Sequence, residues 1–350
     1  MTGRRILVTG GSGFIGTNLI ERYRRAEPTP VLNLDHREPR CPAHRDLWMQ
    51  GDLLAAPDVV LDAMREFRPT HLVHLAARTD LEGSSMDDYS VNTDGVRIVL
   101  DRSSSYGGLQ RSVFASSRLV CDLGEQPISE LDYFPPNYYG RSKVIGEQLV
   151  RAHDHVSEWV LVRPTSIWGP WGQAPYRDFF LSLVRGTYVH PGHERVHKHY
   201  GYVGNTAFQI DRLLTAPATE AHGRTFYLAD PVPIEVGTLA AAIRRTLGFS
   251  PPRSVPVALM HLIARSGDAL KAAHIAEPPL TSSRLRHLRM DMVFDLTEID
   301  ALVGKLPFTT QDGIDETVAH LWEQGNLPTS ATGARAVHRR LYGGPQPPFG

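Results

Sequence analysis

Cysteine is nearly absent from the 350 residues: Cys41 and Cys121 are the only two. Two thiols cannot form a disulfide framework, and this pair lacks the spacing of a zinc site, so a reducing compartment and no bound metal are expected. An excess of charge of one sign is also lacking. With 37 Lys and Arg against 38 Asp and Glu, the formal net charge is -1, which leaves no global field to gather nucleic acid or an anionic membrane. An anionic ligand has to be met by a local site. No stretch approaches the roughly 18 uninterrupted apolar residues of a membrane span, and Arg4-Arg5 run straight into a short apolar segment with another use. A soluble, cytoplasmic chain is the expectation. No internal repeat is visible, and 30 Gly with 26 Pro imply many turns without low complexity.

The length exceeds what one hydrophobic core usually serves, which points to one large α/β unit or a nucleotide-binding domain with a smaller partner. Residues 5–9 form an apolar run that ends in Gly10-Gly11-Ser12-Gly13, after which Phe14, Ile15, Leu19 and Ile20 recur at helical spacing. That is strand, tight turn, helix. The alternation continues with strands expected at 30–35, 71–76, 112–116 and 159–163, and helices at 57–68, 86–102 and 137–153. Such alternation predicts a doubly wound parallel sheet of the Rossmann type over residues 1–165, covered on both faces. After Pro164 the regularity breaks. Helices expected at 176–185, 238–247, 255–273 and 311–324 give residues 166–326 the character of a smaller, mainly substrate-binding domain, some of whose segments return to the first. From Leu327 onward Pro, Gly, Ser and Arg dominate, and 327–350 read as a loosely ordered tail.

Gly10, Gly13 and Gly16 lie three apart between the first strand and its helix. A dinucleotide site needs one glycine for the sharp turn, one where backbone approaches the pyrophosphate, and one where helix packs on strand; the phosphates then meet helix-start amides, here those of Phe14 and Ile15. Asp35 ends the second strand nineteen residues after Gly16. A carboxylate there takes both ribose hydroxyls and repels a 2′-phosphate, favouring NAD over NADP, although Arg37 keeps NADP open. Tyr139 and Lys143 are four apart, hence on one helix face. A cationic Lys beside a phenol stabilises the phenolate, so the Tyr can exchange a proton with a substrate hydroxyl near neutral pH. Ser116-Ser117, ending an expected strand, offer a hydroxyl to the same substrate oxygen.

These pieces together resemble the extended short-chain dehydrogenase/reductase family, especially its nucleotide-sugar epimerase/dehydratase branch. The matching segments are Thr9-Gly10-Gly11-Ser12-Gly13-Phe14-Ile15-Gly16, Asp35, Gly51-Asp52-Leu53, His74-Leu75-Ala76-Ala77, Asn92 with Gly95, Ser116-Ser117, Tyr139-Gly140-Arg141-Ser142-Lys143 and Arg163-Pro164-Thr165. The resemblance implies a catalytic trio of Ser117, Tyr139 and Lys143. It implies that Asp52 and Leu53 hold the adenine, that Leu75, Ala76 and Ala77 line the cofactor path with Asn92 nearby, that Lys143 binds the nicotinamide ribose, and that Pro164 and Thr165 contact the carboxamide end. It also suggests a homodimer through the helix bearing Tyr139 and its neighbour.

Departures from the family pattern narrow the chemistry. Sugar dehydratases carry an Asp-Glu pair just after the catalytic Ser or Thr, whereas Ser117 precedes Arg118-Leu119. A 4,6-dehydratase is therefore disfavoured. Cys121 stands in an unusual pocket wall and is read as a structural thiol. Lys198 replaces the Arg that grips a nucleotide diphosphate in the family, keeping the charge without the bidentate fork, and Asn205 replaces an Asp. The run from Arg284 through Arg286 and Arg289 to Asp291 offers a second phosphate contact. Arg78, Ser117, Arg118, Ser166, Lys198 and Arg289 are thus the candidate substrate contacts. His193-Glu194-Arg195-Val196-His197 has the zinc-protease spacing, but Pro191-Gly192 just before it makes a loop over the pocket the better reading. The expected activity is an NAD-dependent nucleotide-sugar epimerase acting at carbon 4. The alternatives are a ketoreductase or dehydrogenase of a keto sugar or hydroxylated lipid-like molecule, or a non-catalytic NAD-binding protein.

Overall fold

Ile6, Leu7 and Val8 are all fully buried, and an apolar run with no polar face belongs in the middle of a parallel sheet covered on both sides. The computed structural model, which describes residues 3–25, 29–125, 127, 129–192, 195–273 and 280–343, places it there. The strands are β1 (Ile6–Thr9), β2 (Val31–Asp35), β3 (Trp48–Gln50), β4 (His71–His74), β5 (Arg111–Ala115), β6 (Glu158–Pro164) and β7 (Thr225–Leu228). Their order is β7-β6-β5-β4-β1-β2-β3, parallel throughout. Leu7 on β1 stands opposite Leu32 on β2 and Leu72 on β4. The strand order reverses between β1 and β4, and in such sheets a ligand crevice opens at the carboxyl ends of those two strands.

Helices α1 (Phe14–Arg25), α2 (Val59–Phe67), α3 (Ser90–Tyr106) and α4 (Tyr138–Ala152) connect the strands. A core of Leu34, Val60, Met64, Val99, Leu100, Phe114 and Leu161 fills the space between strands and helices. Asn137 starts α4 by accepting a bond from the Gly140 amide at 2.8 Å, which satisfies one of the donors that every helix start leaves open.

The chain divides into two compact units. The first comprises Met1–Ile167, Gly201–Pro231 and Asp295–Phe308; the second comprises Trp168–Tyr200, Val232–Phe294 and Thr309–Gly350. Two late segments belong to the first unit: in one, β7 pairs with β6 and the helix Val203–Thr215 packs on α1, and in the other, the helix Thr297–Val303 packs on that helix and on β7. The second unit is mainly helical, with Tyr176–Arg185, Val236–Thr246, Val257–Ala272 and Thr310–Glu323 close to the expected positions. Residues 344–350 of the expected loose tail lie outside the described residues, and 332–342 depart from that expectation. Thr332–Tyr342 is a helix packed on Thr310–Glu323, and Ala331, Ala334, Val337 and His338 are its buried stripe. Their helical spacing was hidden by the polar residues around them. Among the described residues no helix is long and apolar enough to cross a membrane.

Strand β4 carries two buried imidazoles, His71 and His74. Burial holds His71 down to about 4, helped by the Arg4 and Arg111 charges, and burial holds His74 down to about 3, helped by Lys143. Between the ordinary imidazole value of about 6.5 and these depressed values the unfolded chain binds protons that the fold does not. Stability contributed by both is present above pH about 6.5 and is lost as pH falls toward 4, with a slope of about 1.4 kcal/mol per pH unit for each histidine. Urea denaturation between pH 7 and 4 should show this fall, and His74→Gln should flatten it by about one proton; a stability independent of pH over that range would contradict the burial argument.

Candidate active site

The loop after β1 is held tightly. Gly10 has φ of 75°, a left-handed conformation, and a Cβ there would collide with the Ala76 backbone nitrogen. A Cβ on Gly16 would lie 2.6 Å from the carbonyl oxygen of Gly10, so the helix start packs directly on the turn. Gly13 is the open one of the three, where an added Cβ meets only the Gly10 oxygen at 3.0 Å. The amide of Thr17 already bonds to Gly13 O at 2.9 Å, and the amides before it, at Phe14 and Ile15, face the helix start where a pyrophosphate is received. This cradle fits a dinucleotide.

Asp35 ends β2 and is 8% exposed. Its Oδ2 accepts from the Ser12 amide at 3.0 Å and its Oδ1 from the Arg37 amide at 2.9 Å. The carboxylate thus fixes the phosphate loop while keeping lone pairs for ribose hydroxyls. The Arg37 side chain is exposed and bonds to His36. Asp52 accepts from the Leu54 and Ala55 amides, which hold its carboxyl below the usual range. The Leu53 side chain belongs to the core, so that residue can offer a ligand only its backbone. Leu75, Ala76 and Ala77 follow β4, half-buried, with the Leu75 amide on Thr9 O at 2.9 Å.

Asn92 departs from its expected place among cofactor contacts. Fully buried, it donates to Arg78 O and to the Ser142 hydroxyl and accepts from the Arg78 amide, each at 2.9 Å. Its amide ties the loop after β4 to α4 and has no donor left for a ligand. Arg78 departs as well: its guanidinium bonds to Asp80 at 2.9 Å and lies over the Tyr89 ring, which occupies the fork expected for substrate.

Ser117, Tyr139 and Lys143 converge and are 7%, 7% and 6% exposed. Ser117 follows β5, accepts from the Leu119 amide at 3.1 Å, and lies near the Tyr139 phenol. Lys143, one turn along α4, donates to Ala115 O at 3.0 Å. The expected electrostatics differ here. Burial, with Tyr89 nearby, raises the Tyr139 phenol, while Ser117 and the Arg118 charge oppose the rise. The Lys143 ammonium rests on a backbone carbonyl, and burial brings it down to about 8. Pro164 and Thr165 end β6, with the Thr165 hydroxyl donating to Leu228 O at 3.0 Å. Ser166 is buried in the same unit. Lys198 and Arg289 belong to the second unit, where Arg289 lies 3.1 Å from His261. The Arg284 side chain lies outside the described residues, as do His193 and Glu194 of the zinc-protease pattern.

Two residues that sequence reasoning missed hold the trio's helix. Arg163 on β6 and Glu147 on α4, 2% and 0% exposed, form a bidentate pair with both distances 2.8 Å. Glu147 continues the four-residue spacing of Tyr139 and Lys143, which is the signal that was available. Tyr133 donates to Glu147 at 3.0 Å, and Arg163 also bonds Glu130 O at 2.6 Å.

Comparison with known proteins matches residues 6–229 to the model of the NAD dependent epimerase/dehydratase family. The chain belongs to that family. It is 28% identical over 352 residues to a 3 beta-hydroxysteroid dehydrogenase/Delta 5-->4-isomerase of Mycobacterium tuberculosis, covering 91% of this chain and 92% of the relative. It is 25% identical over 328 residues to the N-acetyl-alpha-D-glucosaminyl-diphospho-ditrans,octacis-undecaprenol 4-epimerase of Escherichia coli O157:H7, covering 90% and 94%. The fold is similar to that of the UDP-glucose 4-epimerase of Thermus thermophilus in complex with NAD, with TM-score 0.65, 22% identity and coverage of 90% and 98%. Family and fold make this chain an NAD-dependent enzyme of the epimerase and oxidoreductase kind.

Removing one member of the buried pair leaves the other charge unpaired, which typically costs about 3–5 kcal/mol. Arg163→Met should lower stability to urea by that order and reduce turnover through displacement of α4; a loss below about 1 kcal/mol would show that the pair does not hold the helix.

Proposed function

We propose that the protein is an NAD-dependent epimerase that inverts carbon 4 of a nucleotide-linked sugar through a 4-keto intermediate. The observation that carries this reading is the buried set of Ser117, Tyr139 and Lys143, the last two one helical turn apart, at the same strand ends as the glycine cradle. When bound, NAD supplies a nicotinamide ring that accepts and returns a hydride. Tyr139 takes the proton of the sugar hydroxyl at its phenol oxygen and gives it back after the keto sugar has turned. Ser117 orients that same oxygen by its hydroxyl. The phenol that burial holds high in the free protein needs added positive charge to act near neutral pH, and the charges of Lys143 and an oxidised nicotinamide are of that sign. Asp35 favours NAD over NADP through its carboxylate.

Taken by itself, the second unit has a cavity of about 570 Å³ lined by His261, Ser282, Arg286, Arg289 and Met290. Two guanidinium groups in one cavity suit a pyrophosphate. A second reading is a net dehydrogenase of a hydroxysteroid-like alcohol. It is favoured by the Mycobacterium tuberculosis relative and by Leu259, Leu262 and Ile263, which are exposed on the helix that carries His261. A cytoplasmic homodimer goes with the first reading.

The two readings separate in one assay. An epimerase interconverts its two sugars with no lasting rise in reduced-nicotinamide absorbance, whereas a dehydrogenase raises it in step with product. In either case Tyr139→Phe should lower turnover by about 10²–10⁴-fold while NAD still binds; full turnover in that variant would overturn the mechanism.

A further inference from the structure

Away from the trio, three ligand-bearing side chains of the first unit converge: Glu21 on α1, Cys41, and His44 on the short 3-10 helix Pro42–Leu47. We infer that these three hold one divalent, thiophilic cation of the zinc class. Their ligand atoms all lie within 4.8 Å of one another, and His44 Nε2 is already 2.8 Å from Glu21 Oε2. The local backbone builds the pair. Cys41 caps the 3-10 helix and its carbonyl accepts from the His44 amide at 3.0 Å, and residues three apart in a 3-10 turn stack on one side. Cys41 and His44 are therefore a chelating Cys-x-x-His pair, and Glu21 closes it from a different element.

The chemistry of the donor set selects the metal. One thiolate sulfur, one imidazole nitrogen and one carboxylate oxygen are ligands that zinc accepts together, whereas magnesium and calcium require oxygen alone. The Glu21 carboxylate is already oriented, with one oxygen on His44 and ion pairs to Arg24 and Arg25. Binding displaces the thiol proton of Cys41 to solvent, shifts the His44 ring proton from Nε2 to Nδ1 through solvent, and replaces the hydrogen bond between His44 and Glu21 by two metal bonds. A divalent ion with one thiolate, one carboxylate and a neutral imidazole forms a neutral metal–ligand set, beside which Arg24 pairs with Glu21 Oε2 and Arg25 with Oε1. His44 is 1% exposed, which shields the nitrogen from competing water. Three protein ligands leave the fourth tetrahedral position to water.

The site spans the chain that leaves the end of β2. From Asp35 to His44 that segment carries Arg37 and Arg40, and Arg40 donates to Ser12 O at 3.0 Å on the phosphate loop. Bound metal would fasten this ribose-side segment to α1, the helix whose start forms the phosphate cradle. This role is separate from the reaction proposed above, and the inference stands whether that reading holds or fails.

The test is a titration of the metal-free full chain with cobalt(II), read by absorbance, followed by displacement with zinc and a metal count by mass spectrometry. One cobalt per chain with a near-ultraviolet thiolate-to-cobalt band and tetrahedral visible bands is expected, bleached by zinc. Cys41→Ser should abolish the thiolate band, and Glu21→Gln should weaken cobalt binding at least tenfold. Absence of a thiolate band in the native chain would overturn the inference without any variant. So would a band that survives in Cys41→Ser, since it would belong to Cys121 or to other ligands.

Discussion

The buried pair of Arg163 and Glu147 is the constraint on which the geometry of the site depends. Two full charges without solvent are stable only when each satisfies the other, and the fork of Arg163 meets both oxygens of Glu147. The pair therefore fixes the rotation of α4 about its axis against β6. Tyr139, Lys143 and Glu147 recur every four residues on that helix, so a helix rotation that seats Glu147 also brings the phenol and the ammonium to the ends of the strands. The same arginine leads directly into Pro164 and Thr165. One electrostatic contact thus sets the position of the catalytic helix and of the strand end that follows it.

Much of this was legible from sequence because the signals were local. The glycine triplet, Asp35 and the Tyr139/Lys143 spacing each encode their structural context within a few residues, and the strands they end were read to within about two positions. What escaped was non-local. Three-residue β3 and late-arriving β7 have no periodicity of their own and exist because β2 and β6 offer edges for them. The helix Val203–Thr215 was hidden behind a motif reading of the residues before it. Thr332–Tyr342 was masked by composition, its narrow apolar stripe diluted by arginines.

Side-chain roles were less legible than positions. Asn92 and Arg78 have the residue types of ligand contacts, yet their partners within the protein occupy them. Only the fold shows which donors are already used. The same holds for the phenol, since four-residue spacing places Lys143 on the same face as Tyr139 but does not reveal that the ammonium rests on Ala115 O. Burial acts in opposite directions on the two groups, raising the phenol and lowering the ammonium.

The bond between Asp35 and the Ser12 amide constrains replacement of that acid. Here the same carboxylate also braces the turn beneath the phosphates and the amide of Arg37, so discarding it to welcome a 2′-phosphate would loosen the cradle at the same stroke. Replacing Asp35 would therefore disturb the turn as well as remove a charge.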